Sequence, residues 1–141
     1  MKESALSYTM KVALARLGIL FRRIEDACTP GTPDIYLRTR AGSAWVELKH
    51  LHKWPVRPTT LVKVDHFTPE QKLWLLKEGQ SGGLAWVFIQ VADDYLLFDW
   101  KAAQGLGGMT EAGMLSSCVK WWKKPCNWEE VGRLLLSSPL G

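Results

Sequence analysis

Asp34, Glu47 and Lys49 are the residues whose types and spacing best suit a chemical task. Asp34 follows Pro33, and twelve residues separate it from Glu47-Leu48-Lys49. Side chains of a strand alternate between faces, so Glu47 and Lys49 leave one face while Val46 and Leu48 leave the opposite, apolar one. A hairpin turning near Ala41-Gly42 brings Asp34 beside them. Two carboxylates and an ammonium then share one end of a small sheet, which core packing does not require. Carboxylate oxygens with a backbone carbonyl are hard ligands suited to Mg²⁺, an ion that keeps several waters and accepts phosphate oxygens. A nearby lysine can orient or deprotonate a water and offset charge on a phosphate. The competing explanation is an incidental cross-strand pair, because Glu-x-Lys alone is common. Pro33-Asp34 at a hairpin-compatible interval favours the chemical reading.

The elements that must position these groups are legible in the pattern around them. Leu6, Met10, Ala13, Leu14 and Leu17 fall at the spacing of an amphipathic helix over residues 3–17, which Gly18 ends. Glu3 sits three residues before Leu6 on the same inward stripe and is a further candidate acid for the site. Residues 19–25 read as a strand, interrupted by Arg22-Arg23. Thr29-Pro30-Gly31-Thr32-Pro33 is dense in turn formers, and strands follow over 34–37 and 44–49, joined at Ala41-Gly42-Ser43. Residues 50–67 hold two prolines, several basic groups and no clear period, and predict an extended excursion or projecting arm. Thr68 as N-cap, Pro69 at the first helical position and Gln71 completing a capping box predict a helix to about residue 78. Leu84 to Ile89 is a nearly continuous apolar run, expected of a central strand buried on both faces, with Tyr95 to Phe98 beside it. Residues 101–124 are Gly-rich and then mixed, and Asn127-Trp128-Glu129-Glu130 opens a final helix to about residue 136.

Composition bounds what the whole can be. With 141 residues, 47% hydrophobic and 23% charged, the chain is a single folded domain rather than a disordered or fibrous one. It has no run of about 18 uncharged apolar residues and no apolar signal-peptide core, so the expectation is a cytosolic protein with no membrane span. Cys28, Cys118 and Cys126, odd in number and irregular in spacing, suggest neither a disulfide framework nor a four-cysteine zinc site. His50, His52 and His66 lack a fourth ligand at recognisable spacing and read as solvated or phosphate-contacting side chains. The net charge of +4 is mild, yet the stretch from Arg38 to Lys63 alone carries +5. Lys53, Arg57 and Lys63 in that stretch are candidate phosphate contacts, with Arg22 and Arg23 weaker candidates on the same grounds. The eight tryptophans read mainly as core, although Trp121-Trp122-Lys123-Lys124 interleaves aromatic and basic groups.

Through Pro33-Asp34 and Glu47-Leu48-Lys49 the sequence resembles the PD-(D/E)XK nuclease superfamily. Gly31-Thr32-Pro33-Asp34-Ile35, Trp45-Val46-Glu47-Leu48-Lys49, Phe67-Thr68-Pro69-Glu70-Gln71 and Gly82-Gly83-Leu84-Ala85-Trp86-Val87 stand in the order seen in VRR-NUC-type nucleases and in RecU-like and archaeal Holliday junction resolvases. The likeness covers residues 3–99, leaves 100–141 as a C-terminal extension, and likens the basic interval 50–67 to the RecU-type arm. It implies an α/β, restriction-endonuclease-like αβββαβ core with a mixed central sheet flanked by helices. It also implies Mg²⁺ or Mn²⁺ held by Asp34, Glu47 and the Leu48 carbonyl, with Lys49 beside the attacking water. Glu3 resembles a first-helix acid of some resolvases, and Gln71 a glutamine found near the site, although the capping box already gives Gln71 a structural role. The implied activity is hydrolysis of DNA phosphodiesters, leaving a 5′-phosphate and a 3′-hydroxyl. Resolution of branched DNA by a homodimer is the first expectation; cleavage of flaps, nicks or specific duplex sites, and an inactive DNA-binding module, are the alternatives.

Overall fold

The computed structural model describes residues 3–24 and 29–138, apart from the side chains of Glu3 and Ser4. Cys28 lies outside the described residues. Helix α1 (Glu3–Ala15) leads into β1 (Leu20–Arg23), β2 (Ile35–Thr39) and β3 (Gly42–Leu51), and then α2 (Pro69–Gln80) crosses to β4 (Ala85–Val91). That order is the expected αβββαβ core. β5 (Asp94–Asp99), a short 3₁₀ turn (Ala102–Gly105), α3 (Glu111–Ser117), β6 (Lys120–Lys123) and α4 (Trp128–Leu135) complete the chain. The six strands form one mixed sheet in the order β1-β2-β3-β4-β5-β6. Only β3 and β4 run parallel, as a strand pair joined by a crossover helix must.

Alternation sorts the sheet's two faces. Ile35, Leu37, Val46, Leu48, Trp86 and Phe88 pack with Leu6, Met10 and Leu14 of α1 and Val131 and Leu135 of α4. The other face sets Val87, Ile89 and Phe98 against Leu75 of α2, Val62, Ala103 and Met114. Trp86, Phe88 and Phe98 are fully buried, and each such side chain contributes on the order of 2 kcal/mol. β4 is buried along its whole length, as a run that is apolar except at Gln90 requires. At the α1–α4 contact Gly132 permits close packing: a Cβ there would lie 3.0 Å from Ile19 and 3.3 Å from Leu14, tighter than ordinary contact.

Three regions differ from the sequence expectation. β3 runs two residues beyond Lys49 because the parallel ladder with β4 continues to Leu51 and Val91, and its other end extends back to Gly42, which pairs with Thr39 of β2. The stretch 50–67 is not a free projection: Trp54, Val64 and Phe67 pack on the second core face around buried Val62. The Val62 N–H is bonded to the Met109 carbonyl at 2.8 Å. The Gly-rich extension contains an edge strand, β6, in which Trp122 turns inward and Trp121 stays 43% exposed. Among the described residues no helix is long and apolar enough to cross a membrane.

Candidate active site

The site forms where the β2–β3 ladder stops. The last paired residues are Ile35 and Val46, so in continuing register the residue facing Leu48 is Pro33, which has no N–H to give. The Leu48 carbonyl therefore has no ladder donor opposite it. The Leu48 N–H turns to the Asp34 carboxylate, whose Oδ2 accepts from it at 3.1 Å. In a strand the N–H and C=O of one residue point to the same side, which leaves the Leu48 carbonyl on the edge that Asp34 occupies. The Pro-Asp pair thus both ends the strand pairing and sets a carboxylate at its end.

Glycine fixes how closely that turn approaches α2. Gly31 has φ +88°, and a Cβ there would overlap the Glu70 carbonyl in the first turn of α2. The Gly31-Thr32-Pro33 turn is thereby pressed onto the end of α2 that carries Gln71. Thr68 caps that end by accepting from the Gln71 N–H, and Gln71 Oε1 accepts from the Thr68 N–H at 2.9 Å. The other end of the same amide, Nε2, donates to Glu47 Oε2 at 3.3 Å. Gln71 therefore serves the capping box and the site together, because its amide has both a donor and an acceptor.

Glu47 and Lys49 share one face of β3, as alternation requires, and both are almost wholly buried, at 1% and 3% exposure. Lys49 Nζ lies 3.2 Å from Glu47 Oε2 and donates to the His66 carbonyl at 2.8 Å. Burial, followed by the neighbouring charge of Asp34, pushes the Glu47 carboxyl up to about 8, against the opposing pull of Lys49. Glu47 Oε1 is buried with no hydrogen-bond partner. A buried carboxylate oxygen without a partner is costly. Asp34 neighbours the same carboxyl, and these two carboxylates with the Leu48 carbonyl next along the strand make an all-oxygen donor set of the kind that suits a hard divalent cation.

The remaining candidates are spread around this centre. Lys53 and Lys63 border a groove of about 340 Å³ with Asp65 and Trp54, and Arg57 is exposed on the same segment. Arg22 and Arg23 are separated by strand alternation. Arg22 stands opposite Tyr36, on the face of Asp34, while Arg23 borders a pocket with Ser7 and Lys11 of α1 on the other side. Glu3 opens α1, but its side chain lies outside the described residues. Among those residues no three His, Cys, Asp or Glu side chains converge to hold a metal, and His50, His52 and His66 form no zinc site. The two-carboxylate-plus-carbonyl set at Asp34 and Glu47 does not depend on such a trio.

Two contributors carried no signal in their own spacing. His66 acts through its backbone carbonyl, and Phe67 sets its ring 5.7 Å from Lys49 Nζ. Both lie some seventeen residues from Lys49, at the end of a segment without periodicity.

A mixed sheet with αβββαβ order, and an acid-x-lysine strand ending beside a Pro-Asp turn, define a restriction-endonuclease-like fold. The structure is similar to that of Hjc, a Holliday junction resolvase from the archaeal hyperthermophile Archaeoglobus fulgidus. The TM-score is 0.59 at 14% sequence identity, and the match covers 92% of this chain and 98% of that one. No protein-family profile and no curated protein sequence matches the chain.

Proposed function

We propose that the protein is a metal-dependent DNA endonuclease that acts on branched DNA, as a junction resolvase. The observation that carries this reading is the meeting of Asp34, Glu47 and Lys49 at the end of the β2–β3 ladder, with Glu47 Oε1 buried and unpartnered. Asp34, Glu47 and the Leu48 carbonyl would hold Mg²⁺ or Mn²⁺. Bound there, the ion would supply Lewis-acid polarisation of a phosphate oxygen and of a water.

The chain's own groups account for the rest. Lys49 keeps one N–H beyond those given to Glu47 and His66, enough to orient a water or to neutralise a phosphoryl oxygen. Attack of that water on phosphorus, in line with the departing 3′-oxygen, breaks the P–O3′ bond. The products are a 5′-phosphate and a 3′-hydroxyl. Gln71 holds Oε2 of Glu47 and so limits rotation of the carboxylate. Exposed Lys53, Arg57, Lys63 and Arg22 offer charge for the DNA backbone around the centre. The Hjc-like fold supports a junction as substrate, and two symmetric cuts on a four-way junction call for a C2 homodimer with two such centres.

The test is a four-way junction, a matched duplex and a flap, each incubated with Mg²⁺. Paired, symmetric nicks confined to the junction are expected, and they disappear in Asp34→Asn and Lys49→Ala. Cleavage of flap or duplex in preference to the junction would instead indicate a nuclease of another substrate class. Binding without cutting would indicate a DNA-binding module. A strictly monomeric species in gel filtration would count against resolution.

A further inference from the structure

The observation that the proposed reaction does not explain is the way Lys49 is held. Resting on the nuclease reading, we propose that Phe67 and the left-handed backbone of His66 are positioning residues that fix the Lys49 ammonium against Glu47. A lysine ammonium is a point charge on a flexible stem and does not orient itself. Here Nζ is tied at 2.8 Å to the His66 carbonyl and at 3.2 Å to Glu47, and it stands 5.7 Å from the centre of the Phe67 ring. Those three contacts come from two sides, the strand and the end of the 50–67 segment.

His66 has φ +61°, a region that non-glycine residues enter uncommonly. Its imidazole is exposed, so no packing of that side chain demands the conformation. Its carbonyl, by contrast, meets a buried ammonium. A second ammonium meets the same ring: Lys72 Nζ lies 5.6 Å from its centre and is anchored on the Leu106 carbonyl at 2.7 Å. A ring that meets two anchored ammonium groups is a built feature, each cation attracted to the aromatic ring. Filling the gap between α2 and β3 would need only an apolar side chain of similar size. A leucine would fill it; only an aromatic ring would also hold the charge.

The experiment separates packing from positioning. Phe67→Leu keeps an apolar side chain, Phe67→Tyr keeps the ring, His66→Gly keeps access to positive φ without the imidazole, and His66→Val opposes that φ. On the DNA that the parent cuts, Phe67→Leu and His66→Val are expected to lower kcat at least about tenfold with KM within about twofold. Phe67→Tyr and His66→Gly are expected to stay near the parent kcat. Independently of cleavage, ¹⁵N NMR of the lysine ammonium groups in the metal-free protein should show a Lys49 signal displaced by the ring, which moves in Phe67→Leu and not in Phe67→Tyr. An active parent whose Phe67→Leu variant keeps its kcat, or whose Lys49 signal is unmoved by that change, overturns the proposal. A parent that cuts no DNA while the Lys49 signal still responds to Phe67→Leu overturns the nuclease reading instead and leaves the clamp on Lys49 standing.

Discussion

The side-chain amide of Gln71 bridges two structures: its oxygen caps α2 through the Thr68 N–H, and its nitrogen donates to Glu47 Oε2 at 3.3 Å. The two functions can be separated by substitution. Gln71→Glu preserves the capping box, which accepts either residue, but sets a third carboxyl against Glu47 in place of a donor. Tm is expected to fall less in Gln71→Glu than in Gln71→Ala, which loses the N3 half of the capping box. Cleavage is expected to fall further in Gln71→Glu than in Gln71→Ala. Equal activity in the two variants, measured on the same substrate, would confine Gln71 to capping.

Metal binding can be followed without any reaction. An ion that binds only the folded state raises Tm with its concentration. Millimolar Mg²⁺ or Mn²⁺ is expected to raise Tm of the parent, and the rise should vanish in Asp34→Asn and Glu47→Gln. Because Glu47 Oε1 is buried without a partner, Glu47→Gln is expected not to lower the metal-free Tm. A Tm shift of parent size in both variants would place the ion elsewhere.

Asp94 joins three parts of the fold. Its Oδ2 accepts from the Trp54 indole at 2.7 Å, and its Oδ1 from the Trp121 indole at 2.8 Å and from Lys123 at 2.9 Å. Burial would raise this carboxyl, but the hydrogen bonds from Trp54, Lys123 and Trp121 outweigh it and hold it below its ordinary value of 3.8. With the folded value depressed, its stabilising contribution is complete above the ordinary value and is lost as pH falls through the folded one. Asp94→Ala is expected to cost about 3 kcal/mol at pH 7, the loss of hydrogen bonds to a charged acceptor. That deficit should shrink below pH of about 4 in urea denaturation. A deficit independent of pH would show that the ionised form is not what the three donors recognise.

Cys126 is half-buried, and burial together with Glu130 pushes its thiol up to about 12. Burial also raises Cys118. Since the thiolate is the reactive form, both are expected to react with iodoacetamide at pH 7.5 more than about tenfold more slowly than an unhindered cysteine. Peptide mass spectrometry of the native protein reads each site, and prompt labelling of Cys126 would refute the assignment.

Sequence alone determined the order of elements through β5, the capping box at Thr68, the N-cap at Asn127, and the shared face of Glu47 and Lys49. Each of these follows from local rules: a period of two in strands, cap chemistry at helix starts, and apolar runs long enough to be buried on both sides. It also set Asp34 within reach of Glu47, because a hairpin of fixed length leaves few registers. The edge strand β6 was not legible, since its four residues are mixed in polarity and become a strand only by pairing with β5. Nor was the anchoring of residues 50–67, whose contacts with Asp94, Met109 and Lys49 are all distant in sequence. What the tertiary structure decided was the state of the site's groups. The unpartnered oxygen of Glu47, the second role of Gln71 and the hold of His66 and Phe67 on Lys49 arise only when separate segments exclude water from one place. Burial and the direction of a hydrogen bond are properties of that meeting, and no spacing along the chain encodes them.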